Sequence, residues 1–275
     1  MPREISLAYL TTAPILPPEV LQLAAELGYD AVGLRALPAI AGGQDASPLL
    51  TDKALLRATR QAMAATGISV FDMEIVRLNA VYDTMAFMPF LETCGELGAK
   101  AILVAGDDPD EARLTQSFAA FCAAARPFGL SADLEPMPWT KIPNVATAMR
   151  ILDAAGAENG GLLVDALHTA RSSTTLADVR AIPRARIHYI QLCDAPGEVP
   201  TTLEGLLHTA RAERLLPGDG DLPLADLLEA LPGDVPVSLE IPHDVMRAKI
   251  GTRAWAAEAL AKARNLLARR DGRRG

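Results

Sequence analysis

Four polar residues end separate apolar segments of this sequence. Residues 162–164 form an apolar run that ends in Asp165, and Glu135, Gln191 and Glu240 each follow apolar residues in the same way. Apolar runs of this kind are typical of core strands, and a carboxylate at the end of one is costly to bury without a partner. The partner could be a metal ion, a substrate or a cationic side chain.

Short apolar segments alternate with amphipathic segments along the whole chain. Eight strand-like segments are each followed by a helix-like segment over the 275 residues, which is the signature of a (β/α)8 barrel. A doubly wound sheet would have a Gly-rich turn after its first strand, whereas this chain has Thr11-Thr12-Ala13-Pro14. A Pro- and Gly-rich loop runs through Gly42-Gly43, but no linker divides the chain. We therefore predict an α/β fold consisting of a single (β/α)8 TIM barrel domain over residues 1–275.

Strand periodicity predicts which way the four polar residues face. Side chains two positions apart share one face of a strand. The shared faces carry the pairs Asp133 and Glu135, Leu163 and Asp165, Tyr189 and Gln191, and Ser238 and Glu240. The opposite faces are apolar and must pack on the helices, so these faces look into the barrel. Active sites of such barrels lie at the carboxyl ends of the strands.

Glu135, Asp165, Gln191 and Glu240 are therefore expected to converge on one point. Three carboxylates a few Å apart resist joint ionisation in a low dielectric unless a cation joins them. Oxygen ligands favour Mg²⁺ or Mn²⁺ over a structural zinc ion, which prefers Cys and His. In the alternative interpretation, arginine side chains form buried salt bridges with these carboxylates.

Charged residues near the strand ends are candidates for substrate binding. His168 and Arg171 follow Asp165 and are expected in the loop above the metal, where Arg171 either clamps a carboxylate or phosphate or forms a surface salt bridge. Arg35 ends the second strand and has the same two interpretations. Glu74 on the third strand either orients a substrate hydroxyl or pairs with Arg35.

Four other polar residues give weaker signals. His188 falls on the opposite strand face from Gln191, which predicts packing against the helices. His208 and Arg211 lie in an excursion after the seventh strand that could act as a lid, and His243 follows the last strand. The sequence assigns no role to His208, Arg211 or His243.

The strand-end motifs are Leu134-Glu135-Pro136, Val164-Asp165-Ala166-Leu167-His168, Tyr189-Ile190-Gln191-Leu192-Cys193-Asp194, Leu216-Pro217-Gly218-Asp219-Gly220-Asp221 and Ser238-Leu239-Glu240. With them, essentially the whole chain resembles the xylose isomerase-like TIM barrel superfamily, the sugar phosphate isomerase/epimerase group. The resemblance implies one divalent metal ion on Glu135, Asp165, Gln191 and Glu240, with Mg²⁺ or Mn²⁺ favoured and Zn²⁺ or Co²⁺ as further options. Gln at the third position, where many members have His, resembles the hydroxypyruvate-isomerase-like branch.

The resemblance and the expected site together imply proton-transfer chemistry. A metal that binds a carbonyl and an adjacent hydroxyl lowers the pKa of the C–H bond between them. Glu135 and Glu240 would then remove and return the proton through a metal-bound enediolate. The expected activity is an isomerase or epimerase acting on a sugar, sugar phosphate or hydroxy-keto acid. A metal-dependent dehydratase of the 3-dehydroshikimate type is the alternative, and a non-catalytic sugar-binding barrel is a further alternative that predicts no metal.

Composition and net charge limit the classes of partner that we expect. The net charge of −8 and the pI near 5.1 disfavour nucleic acid and anionic membranes as partners. No apolar stretch approaches the roughly 18 residues that a membrane span needs. Cys94, Cys122 and Cys193 lie among apolar residues and are expected as reduced core thiols of a cytoplasmic protein. The expected partner is a small sugar, sugar acid or sugar phosphate, and self-association to a homo-oligomer is left open.

Overall fold

The computed structural model describes residues 3–38 and 47–274. Parallel strand segments in these ranges form one sheet. In chain order they are β1 Ile5–Leu7, β2 Ala31–Arg35, β3 Ser69–Leu78, β4 Ala101–Gly106, β5 Ser131–Leu134, β6 Gly160–Leu162, β7 Val164–Asp165, β8 Ile190–Leu192 and β9 Val237–Leu239. Leu163 alone separates β6 from β7, and the two act as one strand of the sheet because β6 pairs with β5 while β7 pairs with β8. The loop predicted through Gly42-Gly43 lies outside the described residues.

The sheet closes into a barrel through its first and last strands. β1 pairs with β2 on one side and with β9 on the other, so that Ser6 lies opposite both Ala31 and Ser238. With β6 and β7 counted as one strand, the barrel has eight parallel strands with helices between them. This arrangement confirms the predicted fold class.

Helices follow the strands and cover the barrel. Within the described residues they are α1 Tyr9–Thr12, α2 Pro17–Leu27, α3 Lys53–Thr66, α4 Met88–Glu96, α5 Glu111–Ala125, α6 Val145–Ala155, α7 Ala166–Ala170, α8 Leu176–Ala181, α9 Leu203–Ala212, α10 Leu224–Ala230, α11 Asp244–Ile250 and α12 Thr252–Arg274. Asp52 begins α3 by accepting hydrogen bonds from the amides of Ala54 and Leu55, as an N-cap carboxylate does. None of the helices in residues 3–38 and 47–274 is long and apolar enough to cross a membrane.

Asp194 holds the turn that follows α9. Its carboxylate accepts hydrogen bonds from the amides of Gly218 (2.9 Å) and Leu222 (3.0 Å). A Cβ atom at Gly220 would lie 2.4 Å from the carbonyl oxygen of Ala195, so only glycine fits there. The turn therefore packs against the end of β8, and the chain between α9 and this turn is held over the barrel.

The barrel interior is more polar than the core outside it. Apolar side chains on the outer strand faces pack against the helices, whereas the interior group of apolar residues is small and includes Ala31, Leu163 and Tyr189. The carboxylates of Asp72 and Asp133 are also fully buried inside. Because barrel interiors usually contain bulky branched side chains, these carboxylates require a specific explanation.

Candidate active site

The barrel brings the four predicted metal ligands together. Glu135 follows β5, Asp165 ends β7, Gln191 lies in β8 beside Asp165, and Glu240 follows β9. Each of the four residues is at most 3% exposed. The amide of Gln191 donates a hydrogen bond of 3.2 Å to Glu240 Oε1. The period-two pattern of the strands thus predicted the facing of these side chains correctly, while their role as ligands stays a prediction.

His168 lies among these carboxylates. Its ring Nε2 is 3.7 Å from Glu135 Oε1, and its Nδ1 is 3.9 Å from Asp165 Oδ1. Burial lowers the pKa of His168 to about 4, although the charge of Asp165 opposes the shift. The ring also meets Trp139 edge-on at 4.9 Å between centroids. His168 is therefore neutral at neutral pH, and its ring lies between Glu135, Asp165 and Trp139.

The predicted loop after Asp165 is instead a short helix. Asp165 is the N-cap of α7, and its Oδ1 accepts a hydrogen bond of 2.8 Å from the amide of His168. An N-cap carboxylate stabilises the first helical turn, and this turn brings the ring of His168 back toward Asp165. The expectation of a loop was wrong because the Asp165 carboxylate caps the amide of His168 and so begins a helix directly after the strand.

Arg214 is the central residue that the sequence did not single out. Its Nη1 is 2.7 Å from Asp165 Oδ2, and its Nη2 is 2.8 Å from Glu240 Oε2. Its Nε donates to the carbonyl oxygen of Ala210, and its side chain is 2% exposed. Burial would raise the pKa of Asp165, but the charge of Arg214 and the hydrogen bonds from Arg214 and from the backbone amide of His168 outweigh it and lower that pKa. The arginine alternative therefore holds for two of the three carboxylates.

Arg35 and Glu74 form an ion pair at the edge of the same cavity. Arg35 Nη2 is 2.5 Å from Glu74 Oε2, and the guanidinium lies over the ring of Tyr9 at 4.8 Å from its centroid. Both residues line the cavity at the carboxyl ends of the strands. Of the two interpretations of Glu74, the structure contains the pairing with Arg35.

Two more arginines line this cavity. Arg77 pairs with Asp107 at 2.7 Å. Arg211 of α9 has no carboxylate partner among residues 3–38 and 47–274, and burial, together with the charges of Arg77 and Arg35, lowers its pKa. Three guanidinium groups thus lie near one another beside the buried carboxylates, and no carboxylate within residues 3–38 and 47–274 pairs with Arg211.

Three other candidates lie apart from the described lining of the cavity. Arg171 donates to the carbonyl oxygens of Pro196 (2.5 Å) and Gly197 (3.4 Å) in the loop after β8. His208 is exposed beside Glu213 at 3.4 Å. His243 meets the ring of Trp255 edge-on at 5.4 Å between centroids. Arg171 therefore ties two loops together, and its role in substrate binding stays a prediction.

His188 does not pack against the helices, so this prediction was wrong. Its Nδ1 lies 2.6 Å from Oδ1 of the inward-facing Asp133. His188 precedes β8, where strand alternation does not yet apply. A Cβ atom at Gly161 would lie 2.4 Å from His188 Nδ1, so glycine at that position makes room for the ring.

Asp72 is a buried carboxylate without a hydrogen-bond partner among the described residues. Neither of its oxygens accepts a hydrogen bond from any residue in the described ranges, and the side chain is fully buried. Burial raises the pKa of Asp72 well above its usual value, and the charges of Glu74, Glu240 and Asp133 raise it further. The folded protein therefore favours the protonated form of Asp72.

We expect Asp72→Asn to stabilise the protein at neutral pH. The folded state holds a proton on Asp72 that the unfolded chain releases near pH 4, so the contribution of Asp72 to the free energy of unfolding falls as pH rises above about 4, by up to about 1.4 kcal/mol per pH unit. The neutral amide avoids this loss. Urea unfolding between pH 4 and 8 should show a gain that grows with pH, whereas Asp153→Asn at an exposed position should show no gain. Equal stability of wild type and Asp72→Asn at pH 8 would contradict the expectation.

Comparison with known proteins identifies the fold family. A family model described as xylose isomerase-like TIM barrel matches residues 21–266. The chain belongs to the xylose isomerase-like TIM barrel family. The resemblance carried by its strand-end motifs is thereby confirmed.

Sequence similarity to a curated protein covers only part of this chain. A 3-dehydroshikimate dehydratase of Pseudomonas aeruginosa is 30% identical over 174 residues, which cover 60% of this chain and 27% of that protein. The chain thus spans about a quarter of the length of this curated relative.

Solved structures share the fold at low sequence identity. A xylose isomerase-like TIM barrel/4-hydroxyphenylpyruvate dioxygenase fusion protein matches with a TM-score of 0.79 and 24% identity over 95% of this chain and 42% of that chain. An IOLI protein with a binding zinc atom matches with a TM-score of 0.78 and 17% identity over 97% of this chain and 98% of that chain. The 3-keto-D-glucoside 4-epimerase YcjR of E. coli matches with a TM-score of 0.71 and 17% identity over 96% of this chain and all (100%) of that chain.

The donor atoms of this family member fit a divalent metal ion. Glu135, Asp165 and His168 each offer a ligand atom, and these atoms lie within 4.8 Å of one another. In the described part of the chain, Glu135 Oε1 and Gln191 Oε1 are buried without a hydrogen-bond partner. Burial raises the pKa of Glu135 well above its usual value, and the charges of Glu240 and Asp165 add to this. A divalent cation would supply the missing positive charge and satisfy both oxygens.

Proposed function

We propose that this chain is a divalent-metal-dependent dehydratase acting on a hydroxylated cyclic keto acid of the 3-dehydroshikimate type. The observation that carries the proposal is Arg211, a guanidinium without a carboxylate partner in the described ranges, in the cavity that also contains Glu135 and Glu240. A substrate with a carboxylate at one end and a hydroxyketone at the other matches both parts of this cavity. The 30% identity to a 3-dehydroshikimate dehydratase supports the same choice.

The arginine side of the cavity is suited to a carboxylate. A guanidinium binds a carboxylate through two parallel hydrogen bonds, which gives orientation as well as affinity. A substrate carboxylate at Arg211 would also relieve the repulsion from Arg35 and Arg77. Ile75 and Met137 line the same cavity and provide apolar contact for a carbon ring.

The carboxylate side of the cavity is suited to proton transfer. A divalent metal ion held by Glu135, Asp165, Gln191 and Glu240 would polarise the ketone and acidify the C–H bond beside it. Glu135, which is buried in the same cavity, takes this proton. Burial raises the pKa of Glu240 to about 7, so Glu240 can carry a proton. The hydroxyl on the next ring carbon leaves with this proton, and one water molecule is released. Enolisation of the ketone then makes the ring aromatic.

His168 contributes as a neutral hydrogen-bonding group. Because burial lowers its pKa to about 4, the ring adds no positive charge that would compete with a metal ion. Its Nε2 lies 3.7 Å from Glu135 Oε1, and a substrate hydroxyl beside Glu135 would be within its reach. His168 is assigned to substrate binding, and its neutral ring is also available as a metal ligand beside Glu135 and Asp165.

An isomerase or epimerase is the second candidate. The observation that favours it is that Glu135 and Glu240 reach one cavity from different strands, so one could remove a proton from a carbon and the other could return it. The arginine side would then hold a sugar acid or sugar phosphate. The sequence alone favoured this candidate over the dehydratase. The arginines that line the cavity favour the dehydratase instead, because they match a substrate carboxylate.

Incubation with Mn²⁺ and 3-dehydroshikimate tests the proposal. We expect an aromatic dihydroxybenzoate to accumulate, because dehydration leaves a ring that enolises, and ultraviolet absorbance detects this product. Addition of EDTA should abolish turnover, and excess Mn²⁺ should restore it. Proton exchange of a sugar acid with D₂O in the absence of any aromatic product would support the second candidate. No turnover of either kind and no bound metal by elemental analysis would favour a sugar-binding barrel.

Arg211→Met tests the observation that carries the proposal. We expect KM for the keto acid to rise at least tenfold, since a charged hydrogen bond contributes about 1.5–3 kcal/mol, while kcat changes less. Arg180→Met removes an exposed arginine outside the described lining of the cavity, and its KM should stay within about twofold of wild type. An unchanged KM in Arg211→Met would contradict the assignment of Arg211 to the substrate carboxylate.

A further inference from the structure

A second cavity lies at the opposite end of the barrel. It has a volume of about 660 Å³, and its lining includes Phe71, Lys100, Arg126, Arg184 and His188. Lys100 precedes β4 and His188 precedes β8. The cavity therefore opens at the amino ends of the strands, whereas the candidate active site opens at their carboxyl ends.

A buried hydrogen-bonded pair forms part of the wall of this amino-end cavity. His188 Nδ1 lies 2.6 Å from Asp133 Oδ1, and Ser131 Oγ donates to Asp133 Oδ2 at 2.6 Å. Asp133 is fully buried, while the side chain of His188 is 28% exposed. The Nδ1 edge of the ring faces Asp133, so the other edge is left for the cavity.

The pair between His188 and Asp133 has no role in the proposed reaction. Burial would lower the pKa of His188, but the hydrogen bond and charge of Asp133 outweigh it, so the pKa is raised. The positively charged ring would donate from Nε2. Such a donor, fixed by a buried carboxylate, is suited to an acceptor that enters from the solvent.

The other charges of the amino-end cavity leave an excess of positive groups. Lys100 Nζ pairs with Glu4 at 2.8 Å, and Arg184 pairs with Asp234 at 2.9 Å. Arg126 is exposed and has no ion-pair partner within residues 3–38 and 47–274. Among the described residues, Arg126 therefore carries a charge that no acidic lining residue balances, while Asp133 balances the charge of His188.

We propose that the amino-end cavity binds a small anion with a carboxylate or phosphate group, which accepts hydrogen bonds from His188 Nε2 and from Arg126. The ring of Phe71 provides an apolar wall for the rest of the ligand. Lys100 Nζ lies 5.2 Å from the centroid of this ring. Asp133 and Ser131 position His188 and do not contact the ligand. The inference is independent of the reaction at the other end of the barrel.

Calorimetric titration of the whole protein with inorganic phosphate and with citrate, at constant ionic strength, tests this inference. The arginines of the candidate active site also attract anions, so the titrations are repeated in Arg211→Met, which should retain the amino-end site. We expect Arg126→Gln to weaken binding at that site at least fivefold and His188→Gln at least tenfold. Neither change should alter turnover at the carboxyl-end site.

Arg126→Gln keeps the test decisive if His188→Gln fails to fold, because Arg126 is exposed. Saturable binding of phosphate or citrate in Arg211→Met that Arg126→Gln weakens supports the site. Absence of saturable binding in Arg211→Met, or equal affinity in Arg211→Met with and without Arg126→Gln, overturns it. An absence of dehydratase turnover would leave these binding results unaffected, so the two proposals fail separately.

Discussion

Replacement of Glu135 or Glu240 by Gln is expected to lower kcat by about 10²–10⁴-fold, the usual contribution of a general acid or base. Gln has nearly the same shape as Glu but cannot take up or release a proton at neutral pH. Both carboxylates are buried in one cavity, so their loss removes the groups that move the proton. Steady-state rates of product formation, measured with saturating Mn²⁺, give the size of the effect.

The double variant and a surface control distinguish a loss of catalysis from a loss of folding. Because both residues serve one proton-transfer sequence, the double variant should be about as slow as the slower single variant. Glu158→Gln at an exposed position should keep wild-type kcat. Circular dichroism should show the same helix content in all variants. If either single variant retains nearly full activity with a native fold, the pairing of Glu135 with Glu240 is wrong.

Arg214→Met is expected to lower the free energy of unfolding by about 3–5 kcal/mol, because removal of one partner leaves buried charges unpaired. Arg214 contacts both Asp165 and Glu240 while it is 2% exposed. Methionine fills part of the space but leaves two carboxylates in a low dielectric. Urea unfolding of the metal-free proteins measures the loss.

A metal ion should restore part of this stability. Added Mn²⁺ is expected to raise the Tm of Arg214→Met more than that of wild type, because the ion replaces some of the lost positive charge. Arg171→Met is the matched control, since Arg171 is half-buried and donates only to backbone carbonyls in the described structure. A loss below about 1 kcal/mol in Arg214→Met would mean that Asp165 and Glu240 do not depend on this arginine.

Most of the barrel could be predicted from the local pattern of apolar and polar residues. The alternation of strand-like and helix-like segments and the absence of a Gly-rich first turn were enough for the fold class. The facing of Glu135, Asp165, Gln191 and Glu240 followed from a period of two, which depends on the strand itself and not on its neighbours. These predictions rest on interactions within a few residues, where the physics is the same in every protein.

Contacts between distant segments could not be predicted in this way. Arg214 lies 49 residues from Asp165 in the chain, and nothing in its own segment indicates that it is buried. His188 and Asp133 are 55 residues apart, and they meet only because Gly161 leaves room between them. The helix that Asp165 caps could not be predicted from strand periodicity, because its capping hydrogen bond competes with continuation of the strand.

By itself, the sequence determined an eight-stranded α/β barrel with an acidic group of side chains at its carboxyl end, because strand and helix periodicity are local properties. The tertiary structure decided how those charges are balanced. Closure of the barrel brings Arg214 between Asp165 and Glu240, gathers Arg35, Arg77 and Arg211 around one cavity, and leaves Asp72 unpartnered among the described residues. Burial and pairing energies depend on which side chains are in contact, and closure of the barrel determines those contacts.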